Sequence, residues 1–240
     1  MTNMTRPALL DNKTHARLRV HTGHSADLGD QVMSALAVPD EFRSLQAHYP
    51  IVFQKSGDGT QFQAIALFGL QEGENLFLTE QGWDAHTLPM SVERLPFLIG
   101  TDGEQLLVHV DLDSPRVAGP GEGEAVFLPH GGQTDYLERI NTLLMALHDG
   151  HARGQLLSKA LQQHQLLESF VLDVELDDGA HGRLSGFYTI NEERLSALPG
   201  ALLETLQRDG HLLPIYMALA SLARFRDLIE RRNRRLASRA

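Results

Sequence analysis

Two apolar segments with the pattern of β-hairpins constrain the fold of this chain most. The first joins IVFQK, residues 51–55, to FQAIALFGL, residues 62–70, through SGDGT, which is rich in turn-forming glycine and aspartate. The second is SFVLDVELDDGAHGRLSGFYTI, residues 169–190, which turns at DDGAHG. Both patterns predict antiparallel strands, because a parallel pair needs a long crossover connection. The expected fold class is therefore α+β, with antiparallel hairpins packed against helices.

Helical periodicity is strongest over residues 134–167, TDYLERINTLLMALHDGHARGQLLSKALQQHQLL, where leucine and isoleucine recur every three or four positions. Because one apolar stripe precedes Gly150 and another follows it, we expect this helix to end or break there. Asn191 is a natural cap for the helix predicted from NEERLSAL. The C-terminus is predicted to be helical, with ALLETLQRDG followed by one long helix over about 214–235.

The length of 240 residues suits one large domain or two small ones. Residues 1–40 are polar with weak periodicity, and we interpret them as an N-terminal arm. Residues 41–240 are then a single α+β domain that ends in a long basic amphipathic helix. Similar features, a hairpin followed by an apolar helical segment, occur around 50–100 and again around 168–212, which raises a weak internal duplication as an alternative.

Charge is distributed unevenly along the chain, whose net charge is −10. Residues 224–240 hold seven arginines against two acidic residues, giving +5, and the remainder has 14 basic against 29 acidic residues, giving −15. Such an acidic body disfavours general nucleic-acid binding. The arginine-rich end is either a solvent-exposed helix terminus, where positive charges interact favourably with the helix dipole, or a segment that docks on an acidic partner, RNA or anionic lipid. The candidate partner-binding residues are Arg231, Arg232, Arg234 and Arg235.

Cysteine is absent, which excludes disulfides, thiolate metal sites and cysteine nucleophiles. The first twenty residues show no apolar core of a secretory signal. The apolar stretch LLPIYMALASLA, residues 212–223, is too short to span a bilayer. We therefore expect a cytoplasmic protein with no transmembrane segment. Its C-terminal helix has apolar residues on more than one side, which makes a homodimer plausible.

The sequence contains no nucleophile elbow, P-loop, HExxH or EF-hand motif. In HVDLD, however, His109 and Asp111 fall on one face of a predicted strand, with the spacing of the His-x-Asp half of a non-haem iron site. The alternative interpretation is a strand end with exposed polar residues. A second histidine ligand would come from His148, His151, His164, His181 or His211. The sequence leaves open whether the chain is an enzyme.

The stretch GLQEGENLFLTEQGWDAHTLPMSVERLPFLIG, residues 69–100, contains the only tryptophan of the chain. Trp83 is either a core anchor or the floor of a ligand pocket with Asp84 and Arg94 as its polar rim. In DLDSPR, Asp111 and Arg116 form either an ion pair that fixes a loop or the polar rim of a pocket. These five residues are the candidate ligand-binding set.

Several segments, in this order along the chain, resemble the SapC-like family of bacterial proteins. They are YPIVFQKSGDGTQFQAIALFGLQEGENLFL, GWDA, ERLPFLIG, DLDSPRV, GEAVFL, GFYTINEERLSALP, LQRDGHLLPIYMALASL and LIERRN. The resemblance covers about residues 9–235. It implies no established catalytic residue and no cofactor.

The resemblance implies an accessory role. The family name comes from an association with bacterial surface layers, and many members are encoded near tryptophan-halogenase-like proteins or cupin-like oxygenases. With no catalytic motif and an acidic body, we expect a non-catalytic cytoplasmic accessory or binding protein. Its partner would be an oxygenase- or halogenase-like enzyme, or a peptide, within a system that modifies a peptide or small molecule. A non-haem iron oxygenase is the first alternative, and a surface-layer or envelope-associated protein is the second.

Overall fold

The structure, a computed structural model, describes residues 6–57, 59–103 and 105–238. The described strands are β1 (Pro7–Leu9), β2 (Arg19–Val20), β3 (Ser34–Leu36), β4 (Ile51–Lys55), β5 (Phe62–Leu67), β6 (Leu78–Thr79), β7 (Gly82–Trp83), β8 (Phe97–Asp102), β9 (Gln105–Asp111), β10 (Glu124–Ala125), β11 (Leu167–Glu175) and β12 (His181–Ile190). The described helices are α1 (Phe42–Leu45), α2 (Met90–Glu93), α3 (Asp135–Gln163), α4 (Glu192–Ser196), α5 (Gly200–Arg208), α6 (Leu212–Ser221) and α7 (Arg224–Ala237).

The chain divides into two compact units. Of the described residues, those within 1–31, 78–84 and 90–149 form unit 1, and those within 32–77, 85–89 and 150–240 form unit 2. All described strand pairs in both units are antiparallel, and helices follow the last hairpin to the C-terminus. The α+β fold class predicted from the sequence is therefore confirmed.

Unit 1 contains a three-stranded sheet in the order β1-β9-β8 and two small two-stranded sheets, β10-β2 and β6-β7. The strand β9 pairs with β8 at residues 105–110 but with β1 only at residues 109–111. The apolar core of the unit gathers side chains from these sheets and from α3. Its buried members include Val20, Phe97, Val110, Leu137, Ile140 and Leu144.

Unit 2 contains a five-stranded sheet in the order β11-β12-β4-β5-β3. Its two hairpins, β4-β5 and β11-β12, are the ones predicted from the alternating apolar residues, and they meet where Tyr188 pairs with Phe53. An aromatic cluster lies in the core, where the ring centroid of Tyr49 is 5.2 Å from that of Phe68 and 4.7 Å from that of Phe77.

The helix α3 runs without interruption through Gly150, so the expected break at this residue is wrong. A Cβ atom placed on Gly150 would lie 2.8 Å from Cγ2 of Val38. The glycine is therefore explained by close packing against the Val38 side chain rather than by the end of a helix.

The C-terminal segment forms two helices, α6 and α7, instead of the single long helix that was expected over 214–235. Ser221 at the end of α6 is fully buried, and its hydroxyl accepts from the Ile51 N–H at 2.8 Å and donates to the Ala218 carbonyl at 2.5 Å. The next helix then brings the ring of Phe225 against that of Phe170, with the centroids 5.0 Å apart. The hydrogen bond with Ile51 and the contact with Phe170 are long-range contacts at the junction of α6 and α7, and the sequence pattern does not contain them.

The described part of residues 1–40 contributes β1 and β2 to sheets of unit 1 and β3 to the sheet of unit 2. These strands have only two or three residues each, which is too short to produce a clear alternation in the sequence. The proposed domain boundary at residue 40 and the internal duplication stay predictions.

Candidate functional site

A groove of about 540 Å³ is the candidate ligand site of unit 1, and we call it the amide-rimmed groove. Its volume falls within the range typical of ligand pockets in proteins. The floor belongs to the apolar core of the unit, and the exposed side chains of Leu9 and Met145 stand at its lip. The apolar side chains that line it include Leu10, Ile99, Val108, Phe127, Leu137 and Leu144.

Carboxamide side chains form the polar rim of this groove. Asn12 donates from Nδ2 to the Gly131 carbonyl at 2.8 Å, and Asn141 donates from Nδ2 to Oε1 of Gln133 at 3.0 Å. The Oδ1 atom of Asn141 is buried and has no hydrogen-bond partner among the described residues. A buried acceptor without a donor is unfavourable, so this atom is suited to a ligand that donates a hydrogen bond.

One edge of β9 opens into the same groove. The Leu10 N–H donates to the Val108 carbonyl at 2.9 Å, after which the chain turns away at Asp11. In an antiparallel ladder alternate residues bond to the same side, so the N–H and C=O of Leu106 face this edge. No described strand pairs with this edge of β9 at Leu106. The groove therefore presents backbone hydrogen-bonding groups beside an apolar floor.

Asp11 gives the groove a negative charge. Its Oδ1 atom accepts from the backbone N–H groups of Thr14 and Lys13, both at 2.8 Å. These hydrogen bonds hold the pKa of the Asp11 carboxyl below its usual value, and the bond from Thr14 has the largest effect. The backbone donors are neutral and leave the negative charge of Asp11 in place, while Nδ1 of His15 lies 3.6 Å from Oδ2 and also lowers the pKa of Asp11. The carboxylate can therefore attract a cationic group of a ligand when His15 is neutral.

A buried ionic cluster is the second notable site of unit 1. The guanidinium of Arg116 donates to Oδ1 of Asp30 at 2.5 Å and to the Gly23 carbonyl at 2.8 Å. His24 places Nδ1 at 3.3 Å from both Nη2 of Arg116 and Oδ2 of Asp30. Burial raises the pKa of Asp30, but the hydrogen bond from His24 and the charges of Arg116 and His24 outweigh it and hold the pKa below its usual value.

Trp83 joins this cluster through its ring. The indole lies edge-on to the imidazole of His24, with ring centroids 5.6 Å apart and planes at 75°. Two of the five candidate ligand-binding residues, Trp83 and Arg116, are therefore brought together around Asp30 and His24. The guanidinium of Arg116 is almost completely buried, and its Nη1 and Nη2 atoms donate to acceptors within residues 21–30. Its Nε atom is buried and has no hydrogen-bond partner among the described residues.

The other three candidates have separate surroundings. Asp84 is exposed. Arg94 donates to the Phe97 carbonyl at 2.6 Å, and burial lowers its pKa. Asp111 accepts from the backbone N–H groups of Arg6 at 3.0 Å and Asp113 at 3.1 Å. None of the five candidates lines the amide-rimmed groove.

The proposed metal pair, His109 and Asp111, lies on β9 as expected. The imidazole of His109 packs against Gly100 of the neighbouring strand, where an added Cβ would come 2.5 Å from Cε1. In the described residues no group of three or more histidine, aspartate or glutamate side chains is placed to hold a metal ion. The described residues therefore supply no third ligand for the proposed iron site.

The candidate partner-binding arginines Arg231 and Arg232 contact side chains of their own unit. The guanidinium of Arg231 lies over the ring of Phe77, 4.3 Å from its centroid, which is a cation–π arrangement. Arg232 donates to the buried carboxylate of Glu74. Arg234 is exposed and donates from Nε to the Glu230 carbonyl at 3.4 Å, and Arg235 is half-buried.

The fold and the groove together define an α+β protein with a ligand-sized concave site in unit 1. The model of the SapC family matches residues 10–228 of the 240-residue chain. The chain therefore belongs to the SapC family, as its sequence motifs predicted. No curated protein and no solved structure matches it. Among the described residues, no helix is long and apolar enough to cross a membrane.

Sequence reasoning missed the residues of the groove. Leu9 and Leu10 precede Asp11 and Asn12, and this step from apolar to polar residues lies in the segment interpreted as an arm. Asn141 lies within the helical pattern, where an asparagine is usually solvated. Only the pairing of β1 with β9 brings these two regions of the chain together.

Proposed function

We propose that this protein is a non-catalytic binding protein whose amide-rimmed groove holds an extended segment of peptide. The observation that supports the proposal is the combination of an apolar floor, the open edge of β9 and the unpartnered Oδ1 of Asn141 among the described residues. A peptide in extended conformation would add hydrogen bonds to Leu106 and place alternate side chains on the floor. Its backbone N–H groups would supply a donor to Asn141.

Charge narrows the class of peptide. The carboxylate of Asp11 lines the groove, and the body of the chain outside residues 224–240 has a charge of −15, from 14 basic and 29 acidic residues. A segment that alternates apolar and basic side chains therefore complements the groove better than one that alternates apolar and acidic side chains.

In this proposal the protein works in the cytoplasm as an accessory to an oxygenase- or halogenase-like enzyme that modifies the bound peptide. The support is the family resemblance, together with a groove whose described lining offers binding groups rather than a nucleophile–base pair. Affinity purification of the tagged full chain, followed by mass spectrometry, tests for such an enzyme. Recovery of the protein only from the membrane or envelope fraction would contradict the cytoplasmic role.

The groove is tested directly with a synthetic probe, an acetylated and amidated peptide of alternating leucine and lysine. We expect saturable chemical-shift changes at the Leu106 backbone amide and the Asn141 side-chain amide of the isotope-labelled chain. The matching leucine–glutamate peptide should bind more weakly, because its carboxylates approach Asp11. Mass spectrometry should recover the bound peptide unchanged.

Two exposed apolar residues of α3 provide a matched pair of variants. Met145→Arg places a long cationic side chain at the lip of the groove and should lower the affinity for the leucine–lysine peptide by about tenfold or more. Leu156→Arg changes another exposed residue, one outside the groove, and should leave the affinity unaltered. Equal effects of the two variants, or no saturable binding of the peptide, would show that the groove is not the binding site.

A further inference from the structure

The open edge of β9 in the amide-rimmed groove is closed at one end by the chain itself. The strand β1 pairs with β9 at residues 109–111, and the Leu10 N–H then donates to the Val108 carbonyl at 2.9 Å. The next hydrogen-bonding position on this edge, at Leu106, has no described strand beside it. A peptide that pairs with Leu106 would therefore extend the line of β1 and meet the end of that strand.

A hydrogen-bonded turn over residues 11–15 lies at this closed end. The Asp11 carbonyl accepts from the His15 N–H at 3.1 Å, and the Asp11 N–H donates to Nδ1 of His15 at 3.2 Å. Asn12 donates to the Gly131 carbonyl at 2.8 Å, which attaches the turn to another segment that lines the groove. A peptide strand that stays on the edge of β9 cannot continue past this turn, so one of its termini would lie beside it.

The charge of the turn decides which terminus is favoured. A peptide antiparallel to β9 runs in the direction of β1 and puts its N-terminus at the turn, whereas a parallel peptide puts its C-terminus there. The Asp11 carboxylate lines the groove, and Lys13 is exposed and does not line it. Nδ1 of His15 accepts from the Asp11 N–H and so carries no proton. A terminal ammonium is therefore attracted to the turn, and a terminal carboxylate is repelled.

We propose that the groove recognises the free N-terminus of a peptide whose first residue is apolar, with the terminal ammonium beside Asp11 and the first residue opposite Leu106. This inference rests on the proposed function of the groove and narrows the class of peptide. Opposite residues of an antiparallel ladder share a face, so the first side chain points to the face of Leu106 and Val110, and Val110 belongs to the apolar core. The ammonium supplies three donors and a positive charge, which suit a carboxylate acceptor.

Three peptides of alternating leucine and glutamine, all amidated at the C-terminus, test this proposal, because their side chains carry no charge. One has a free N-terminus, one is acetylated, and one lacks the amino group of its first leucine, which removes the charge without adding atoms. Isothermal titration calorimetry with the full chain measures their affinities. We expect the peptide with the free amine to bind about tenfold tighter than each of the other two.

The advantage of the free amine should disappear as the pH rises. A terminal ammonium loses its proton with a pKa of about 8, so the ratio of the affinities of the free and acetylated peptides should fall toward one between about pH 7 and about pH 9. Asp11 stays ionised over this range, because its pKa is lowered in the folded protein. This measurement uses the unchanged protein and does not depend on the folding of a variant.

Two Asp→Asn variants provide a matched comparison. Asp11→Asn keeps an oxygen that can accept from the Lys13 and Thr14 N–H groups but removes the charge, and it should reduce the advantage of the free amine to less than about threefold. Asp113→Asn removes an exposed carboxylate that is paired with Arg6 outside the groove, and it should leave the advantage unaltered.

The outcomes separate this inference from the proposed function. Equal affinities of the free and acetylated leucine–glutamine peptides, or equal effects of the two variants, would overturn recognition of the N-terminus while the acetylated leucine–lysine peptide still bound in the groove. Absence of saturable binding by every peptide, the acetylated leucine–lysine peptide included, would instead refute the proposed function itself.

Discussion

Replacement of Asp30 by asparagine tests the buried ionic cluster of unit 1. The exchange keeps the shape of the side chain but removes the negative charge. The Arg116 guanidinium, whose side chain is 3% exposed, would then be buried with neutral acceptors only. His24 would also lose the carboxylate that lies 3.3 Å from its Nδ1 atom.

The expected loss of stability is large for a single polar substitution. Removing one partner of a buried ion pair costs about 3–5 kcal/mol, since the remaining charge is left uncompensated. For a chain of this size each kcal/mol lowers the melting temperature by about 2–4 °C. We therefore expect Asp30→Asn to melt at least about 6 °C lower than the unchanged protein.

The effect of Asp30→Asn should depend on pH. The pKa of Asp30 is lowered in the folded protein, so the stability that its charge contributes is fully present above the unfolded pKa of about 4. That contribution is lost as the pH falls through the lower folded pKa. The difference between the variant and the unchanged protein should therefore be widest near neutral pH and narrow in acid.

Urea unfolding followed by Trp83 fluorescence measures this loss, because the indole contacts His24 of the cluster. Asp173→Asn is the matched control, since it breaks an exposed ion pair with Arg183 and should cost less than about 1 kcal/mol. A loss below about 1 kcal/mol for Asp30→Asn as well would refute the idea that this buried pair stabilises unit 1.

Two further predictions concern packing and ionisation. Gly150→Ala should destabilise the protein by about 1–3 kcal/mol, because the added Cβ would lie 2.8 Å from Cγ2 of Val38. Gly154→Ala, whose added Cβ would have its nearest contact at 3.7 Å, should be neutral or stabilising. Equal melting temperatures for the two variants would contradict this prediction. Burial raises the pKa of Tyr136 to about 12, so an ultraviolet titration should show the Tyr136 phenol ionising near that value. Since the folded state favours its neutral form, stability should fall as the pH rises from about 10, the unfolded pKa, through the folded pKa. Loss of a transition near this value should accompany Tyr136→Phe, and an unchanged titration of that variant would contradict the prediction.

Much of the fold could be predicted from the sequence because its signals are local. The hairpins β4-β5 and β11-β12 follow from alternating apolar residues and turn-forming loops. The cap at Asn191 is confirmed by its Oδ1 atom, which accepts from the Arg194 N–H at 2.8 Å. The end of α6 depends instead on Ser221 reaching Ile51, 170 positions away in sequence, and no local pattern indicates such a contact.

The residues of the candidate sites likewise include some that the sequence indicated and some that only the tertiary structure identified. The sequence pointed to Trp83 and Arg116 as residues with a special role, but it did not indicate their connecting partners, Asp30 and His24. Those partners lie in a polar segment with weak periodicity, and they become significant only when the chain folds back on itself. A residue type can suggest a buried ion pair, whereas the identity of the pair depends on long-range contacts.

By itself the sequence determined the α+β class, the hairpins, the helical C-terminal segment and membership of the SapC family. These properties depend on residue order over short distances and on motifs that recur in the same sequence order. Tertiary structure alone decided that Gly150 lies within a helix, that Arg232 pairs with Glu74 and that Asn141 faces an apolar groove. Each of these three features depends on side chains that are distant in sequence but close in the folded protein. Whether a buried polar atom has a hydrogen-bond partner is decided by the same long-range packing.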